Sequence, residues 1–395
     1  MTNEEFIHLH IKDDVRSLAL KPVPKGVDAK WCLQQIEGWQ LATVKLPTFS
    51  RIEGLWYPPR LSMEQCSSEA AALYKRSVAE MLLPHSSQRK AMADLTGGFG
   101  VDFWALAPLF QHAVYKEEQP VLCNIASHNF PLLQLDGAVV SQPASAFEYL
   151  QLPDDCSLVY LDPARRNNAG RKTVAIEDCS PDVGELMPTL QADAEYVMLK
   201  LSPMLDITRA LRTLPNVCEV HVVSVKGECK ELLVVCSRRN AGLSYFCTNL
   251  DSTDADICVD ATDLANTVAP IGSLTGTQYL FEPNASVLKA GAQDVVAHNY
   301  GLQKLHPMSN LYVGTQSHTN YPGRCFRILT HSDFGKQNLK TLLNDTPKAN
   351  LTVRNFPVTV AELRKRLKLK EGGSVYLFAT TVADGSHVII KCEKA

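Results

Sequence analysis

The stretch "NVCEVHVVSVKGECKELLVVCSRR" (Asn216–Arg239) constrains the fold more than any other. Two β-branched, apolar segments flank "KGECK", a connection too short to hold a crossover helix, so the two strands must pair antiparallel. Upstream the pattern is the opposite. From Ala91, short apolar segments ("AMADLT", "HAVYKEE", "LVYLDP", "YVMLKLSP") alternate with helical ones ("FWALAPLF", "QPVLCNIASHNFPLLQL", "VGELMPTL", "MLDITRALRTL"). Strands separated by helices of that length form a parallel sheet covered on both faces. The sequence therefore predicts an α/β sheet, doubly wound and parallel, that closes in one antiparallel hairpin.

At 395 residues the chain exceeds one ordinary core, and two or three domains are expected. The expected boundaries give a helical extension over 1–60 and the α/β domain over 61–245. A polar linker with a small domain follows over 246–319, and a tail domain over 320–395. Within 61–245, "LSMEQCSSEAAALYKRSVAEMLL" reads as one helix, with Ser62 and Gln65 as a capping box and Leu73, Val78 and Leu82 as its apolar stripe. No apolar run reaches the roughly 18 residues a membrane span needs. The acidic N-terminus, "MTNEEFIHLHIKDD", is unlike a secretory signal. Twelve scattered cysteines without a CxxC pair fit reduced thiols and a cytoplasmic location. The 11 histidines show no metal-ligand spacing, so no metal is expected. Charge is uneven: residues 320–395 hold 13 Lys/Arg against 6 Asp/Glu, a balance of +7, and the total of −3 leaves −10 for the remainder. A basic tail on an acidic body points to a polyanionic partner.

"MADLTGGFGVD" (Met92–Asp102) occupies the first strand-to-helix turn. Gly97, Gly98 and Gly100 let the backbone turn sharply and approach a ligand closely. Asp94 and Thr96 precede and enter the turn. Glu117 ends the next strand, where an acid accepts the two hydroxyls of a ribose, with Glu118 as the solvated alternative. Acid–x–Thr–Gly–Gly–x–Gly followed by a strand-two acid resembles the S-adenosylmethionine site of class I methyltransferases. The resemblance implies a seven-stranded Rossmann-like sheet with an antiparallel last strand, and "VCEVHVVSVKGECKELLVVCSRR" supplies that hairpin. It further implies cofactor contacts from Asp94, Thr96, Gly97, Gly98, Gly100, Glu117 and Asp162. Gln65, with Ser67 and Ser68, would come from a segment folded over the methionine end. Ser145 stands roughly where that family has an acid near the adenine.

"VYLDPARR" (Val159–Arg166) ends the fourth strand on an acid, and a strand end of this kind faces the ligand crevice. It is similar to the Asp/Asn-Pro-Pro-aromatic motif of amino methyltransferases and the Asp-Pro-Pro-Arg of 5-methyluridine enzymes. Asp162 and Pro163 are the catalytic candidates, and Arg165 a candidate RNA contact. The motif departs from the first pattern at Ala164 and Arg165, which leaves no aromatic ring to stack on a base. A cysteine nucleophile would need a lowered pKa, whereas acids flank both Cys179 and Cys229. Lys200, a charge inside the fifth strand, needs a partner: it either pairs with Asp162 or lines the pocket, and a purely structural ion pair explains it equally well.

The chain as a whole, over roughly residues 20 to 395, resembles a bacterial family of methyltransferases with a C-terminal THUMP-like domain. "LSMEQCSSE", "DLTGGFGVD", "LDPARR", "LKLSPMLD", "FEPNASVLKAGA" and "VRNFPVTVAELRKRLKLKEGGSVYLFATT" carry the resemblance. It implies a ferredoxin-like piece near 275–318 and, because THUMP domains proper bind RNA, an RNA substrate with tRNA foremost. In the tail helix "TVAELRKRLKL", Val360, Leu363, Leu367 and Leu369 read as the apolar side, leaving Arg364, Lys365 and Lys368 outward as RNA contacts. The alternatives are an RNA-binding protein that has lost catalysis and a small-molecule methyltransferase.

Overall fold

The computed structural model describes residues 1–140, 152–165, 176, 179–239, 241–253, 255–344 and 346–395, with Arg165 described by its backbone alone. The chain divides into two compact units, Met1–Cys218 with Leu233–Ala241 and Glu219–Leu232 with Gly242–Ala395.

The first unit opens on α1 (Asn3–His10), α2 (Val15–Leu18) and α3 (Ala29–Lys45), each started by a side chain that accepts a backbone N–H: Thr2, Asp14 and Asp28. Phe6, Leu18, Cys32 and Ile36 form their shared core. The expected helix over 61–83 is two helices, α4 (Arg60–Gln65) and α5 (Glu69–Leu82), so the Ser62–Gln65 capping box does not form. Ser68 caps α5 instead, accepting from the Ala71 N–H at 3.3 Å. Glu69 then ties the new helix start to the Thr48 N–H and hydroxyl, both at 2.7 Å. The buried face also differs. Leu73 is exposed, and Ala71, Ala72, Lys75, Val78 and Ala79 point inward.

The alternating region folds as β1 (Ala91–Asp94), α6 (Val101–Leu106), β2 (His112–Tyr115), α7 (Pro120–Leu132), β3 (Val139–Val140) and β4 (Cys156–Leu161). A small two-stranded ribbon follows, β5 (Ala164–Arg165) with β6 (Cys179–Ser180). Then come α8 (Val183–Asp193), β7 (Tyr196–Leu201), α9 (Ile207–Thr213), β8 (Val217–Val225) and β9 (Glu228–Ser237). Lys226 and Gly227, both at positive φ, are the whole turn between β8 and β9, so the strands run further into the connection than their apolar cores. β10 (Ser244–Asn249) and β11 (Ile257–Asp260) add two strands from the stretch read as a polar linker. Their alternating burial is short and interrupted by polar residues, which hid them from a pattern search.

Among the described residues the main sheet has nine strands in the order β11-β10-β8-β9-β7-β4-β1-β2-β3. From β3 to β8 this is the doubly wound arrangement, with β1 parallel to both β2 and β4, and β4 parallel to β7. Every residue of β4 is buried, the signature of a strand covered on both faces. Met92, Leu158, Tyr160 and Met198 face the core that α5, α6 and α7 close.

In the second unit, α10 (Ala261–Asn266) precedes β12 (Tyr279–Pro283), α11 (Ala285–Ala290), α12 (Gln293–Asn299), β13 (Gln303–Lys304) and β14 (Tyr312–Gly314). The chain ends in β15 (Gly323–Asp333), α13 (Lys336–Leu342), β16 (Asn350–Arg354), α14 (Val360–Leu367), β17 (Val375–Thr381) and β18 (His387–Lys394). These strands form one sheet, ordered β13-β14-β12-β15-β18-β17-β16, so the small-domain segment and the tail share a single ladder through β12 and β15. One face carries Leu280, Val313, Phe326 and Phe378; the other packs α13 and α14 through Leu339, Leu342 and Leu363, with Leu369 just beyond α14. No helix among the described residues is long and apolar enough to cross a membrane.

Candidate active site

Three strand ends meet around the glycine turn. Leu95 N–H bonds to the Tyr160 carbonyl at 3.0 Å, and Gly97 N–H to the Lys116 carbonyl at 2.8 Å, so the turn is pinned to β4 on one side and β2 on the other. Gly97 packs flat on the Tyr115 ring: a Cβ there would lie 2.0 Å from it. Gly98 and Gly100 take positive φ, +57° and +83°, which favours glycine. At Gly98 the space a Cβ would fill is open apart from the Thr96 carbonyl at 3.7 Å.

The acids are placed by that turn. Asp94 is buried and accepts from the Thr96 N–H at 3.0 Å. Burial pushes its carboxyl well above the ordinary range, aided by the nearby charges of Asp102, Asp162 and Glu117 and opposed by the Thr96 bond. Glu117 accepts from the Gly98 N–H at 2.7 Å and from the Gln119 N–H at 2.9 Å, one on each oxygen. Each oxygen keeps a further lone pair, which is what a pair of ribose hydroxyls requires. Glu118 is exposed. Asp162 follows β4; its N–H donates to the Thr96 hydroxyl at 2.6 Å, and its Oδ2 accepts from Lys200 Nζ at 2.6 Å. Pro163 behind it is buried. The expected Lys200–Asp162 pair therefore forms.

A second charged group lies on the same face, built on Lys75, Asp102 and Tyr160, which the sequence did not single out, together with Ser67. Lys75, fully buried on α5, faces Asp102 Oδ1 at 3.2 Å. Ser67 and Tyr160 donate to Asp102 Oδ2 at 2.7 and 2.8 Å, and Lys75 also donates to Ser67 at 3.1 Å. Burial alone would raise the Asp102 carboxyl; the charges of Lys75 and Lys200 and those two hydroxyl bonds outweigh it and leave it below its ordinary range. Lys45 holds the α4–α5 break by donating to the Met63 and Glu64 carbonyls at 2.9 and 2.7 Å. The one available signal was a lysine on the Ala72–Lys75–Val78–Ala79 face of an otherwise apolar helix.

The turn, Asp94, Thr96, Glu117 and Asp162 are thus bonded into one constellation. Gln65 ends α4 with an exposed side chain, and Ser67 is the residue of that segment bonded to Asp102 of α6 and Lys75 of α5. Ser145 and the Arg165 side chain lie outside the described residues. In the second unit, Lys365 and Lys368 are exposed, whereas Arg364 is partly buried and donates to the Ala349 carbonyl at 3.2 Å. The outward-facing role read for Arg364 is corrected: the last turn of α14 carries it back onto the start of β16. Val360, read on the apolar side, is exposed, and Leu363 and Leu369 are buried.

A parallel sheet in this order, with the antiparallel β9 inserted between β7 and β8 and acids at the ends of β1, β2 and β4, defines a class I methyltransferase. Comparison with known proteins places it further. The family described as THUMP domain-like matches residues 323–394, and a ferredoxin-like domain family matches 279–322. A solved structure from Porphyromonas gingivalis W83, of a protein classed as a methyltransferase, is 33% identical, with a TM-score of 0.85 over all of this chain and 97% of that one. An uncharacterized S-adenosylmethionine-dependent methyltransferase of Mycobacterium tuberculosis is 26% identical over 79% of this chain and 84% of its own length. The chain belongs to the family of S-adenosylmethionine-dependent class I methyltransferases that carry a C-terminal THUMP-like domain.

Proposed function

We propose that this methyltransferase acts on RNA, tRNA foremost, and modifies a base through Asp162 and Pro163. The observation that carries the RNA reading is a THUMP-like segment, 323–394, with Lys365 and Lys368 exposed on its basic helix. Several other cations of this segment are committed to acids: Arg324 and Arg354 to the buried Glu282, and Arg327 to Glu393. Lys365 and Lys368 are therefore the better candidates for phosphate.

S-adenosylmethionine supplies an electrophilic methyl group on a sulfonium. The chain's residues fit it: open space over Gly98, an acid with spare lone pairs at Glu117, and a buried acid at Asp94 whose ionised form a neighbouring cation favours. In this reading Glu117 holds the ribose, the Gly97–Gly100 turn passes the methionine end, and Asp162 faces the reacting group. Cofactor titration by calorimetry, with RNA retention measured over a range of salt concentrations, tests both halves. Cofactor binding without salt-dependent RNA retention would remove RNA as the substrate.

A further inference from the structure

The β4–β7 ladder ends on Leu161 opposite Leu199, and the next residue of each strand, Asp162 and Lys200, is joined to the other by the side-chain bond at 2.6 Å. In a parallel ladder such neighbours leave the sheet on the same face. Here they leave it on the face of Tyr160 and Met198, above the Lys75–Asp102 group. Lys200 is mostly buried, with 12% of its side chain exposed, while Asp162 keeps 36%. The ammonium thus sits behind the carboxylate and occupies Oδ2, and the Asp162 backbone is fixed by its bond to Thr96. Among the described residues no hydrogen bond reaches Oδ1.

The cysteines bear on what such an acid can do. Methylation at a pyrimidine carbon needs a thiolate that adds to the ring first. All 12 cysteines lie within the described residues. Cys66 is the one beside Lys45, Asp102 and Lys200, and its S–H is directed to the Met63 carbonyl at 3.2 Å. Burial raises that thiol despite both lysines. Cys156 sits at the start of β4, at the far end of the strand from Asp162, and Cys179 is buried in β6.

We propose that the methyl acceptor is a heteroatom, an N–H or O–H group, and that Lys200 is the positioning residue that holds Asp162 to receive the displaced proton. The proposal rests on Asp162 standing at the reacting group and narrows that reading to an acceptor class. The acceptor's lone pair forms the new bond to the methyl carbon. The carbon–sulfur bond breaks with its electron pair left on sulfur, and the acceptor's proton passes to Asp162 Oδ1. No covalent enzyme–base adduct forms.

The test uses the full-length enzyme, S-adenosylmethionine labelled in its methyl group, and whole lysate of a strain lacking the gene. Nuclease sensitivity of the labelled fraction reports on RNA as substrate; the atom that carries the label reports on the present inference. Label on nitrogen or oxygen supports it, and label on carbon overturns it. Lys200→Met should lower kcat about 100-fold or more, the low end of the range for positioned acid–base groups. Its KM for the cofactor should change by about twofold or less, as for a group acting in the transition state alone. Lys200→Arg, which restores a cation to Oδ2, should recover much of the rate, a rescue that a packing defect would not give. Cys66→Ala should retain transfer. Wild-type kcat in Lys200→Met, or loss of transfer in Cys66→Ala with cofactor affinity intact, would overturn the proposal.

Discussion

Glu117 already carries one backbone N–H on each carboxylate oxygen, so any ligand hydroxyls would add to a preorganised acceptor rather than recruit a mobile one. Charge-assisted bonds of this kind make Glu117→Ala expected to weaken S-adenosylmethionine binding by about 1.5–3 kcal/mol. Calorimetry showing equal affinity would return the ribose contact to Glu118. Asp94 leads to a pH effect. Its folded pKa is raised, so the native protein holds a proton that the unfolded chain releases above the ordinary carboxylate range. Asp94 therefore costs stability progressively as pH rises from that range toward the raised value. Asp94→Asn keeps an oxygen for the Thr96 N–H and should flatten this pH dependence and raise Tm at neutral pH, while weakening cofactor binding. A thermal-melt series over pH with the same slope in both proteins would contradict it. These acids were legible in the sequence because a strand end and a spacing suffice to find them. The Lys75–Asp102–Ser67–Tyr160 group was not, since its members come from separate elements that only the folded sheet brings together.

The break between α4 and α5 shows the same boundary at the next scale. Ser67 binds Asp102 of α6 and Ser68 caps α5, so the residues that interrupt the helix are the ones that tie its second half to α6 and start it. Either serine starts a helix plausibly, and local pattern alone could not choose between Ser62 and Ser68 as the cap. Lys75 anchors α5 to α6 by a pair with 0% and 9% of the side chains exposed. Removing one partner strands a buried charge, so Lys75→Met is expected to cost about 3–5 kcal/mol of stability, whereas adding Asp102→Asn should recover much of it. Chemical denaturation of the single and double variants checks this; equal loss in both would mean that the pair is not coupled. The β8–β9 hairpin was readable because its connection excludes a crossover, and β10 and β11 were not, because their polar sequences lack alternation.

For the whole molecule, the basic excess of residues 320–395 was a count, and the structure tells which of those cations already bond an acid or a carbonyl. Arg364 belongs to the committed set, which charge patterning along a helix cannot reveal. Reversing Lys365 and Lys368 to Glu, with Arg364 kept for the fold, should weaken RNA binding and leave cofactor affinity unchanged. If both contact phosphate, the slope of log affinity against log salt should fall by about 1.4, at roughly 0.7 per contact on single strands. An unchanged slope would place the contacts elsewhere. The central claim, methyl transfer to RNA through Asp162, has one direct measurement: mass spectrometry of RNA nucleosides from a strain lacking the gene, complemented with the wild-type or the Asp162→Ala protein. The expected result is a methylated nucleoside that disappears on deletion and returns with the wild type alone. Identical nucleoside profiles in all strains, or full restoration by Asp162→Ala, would contradict the account.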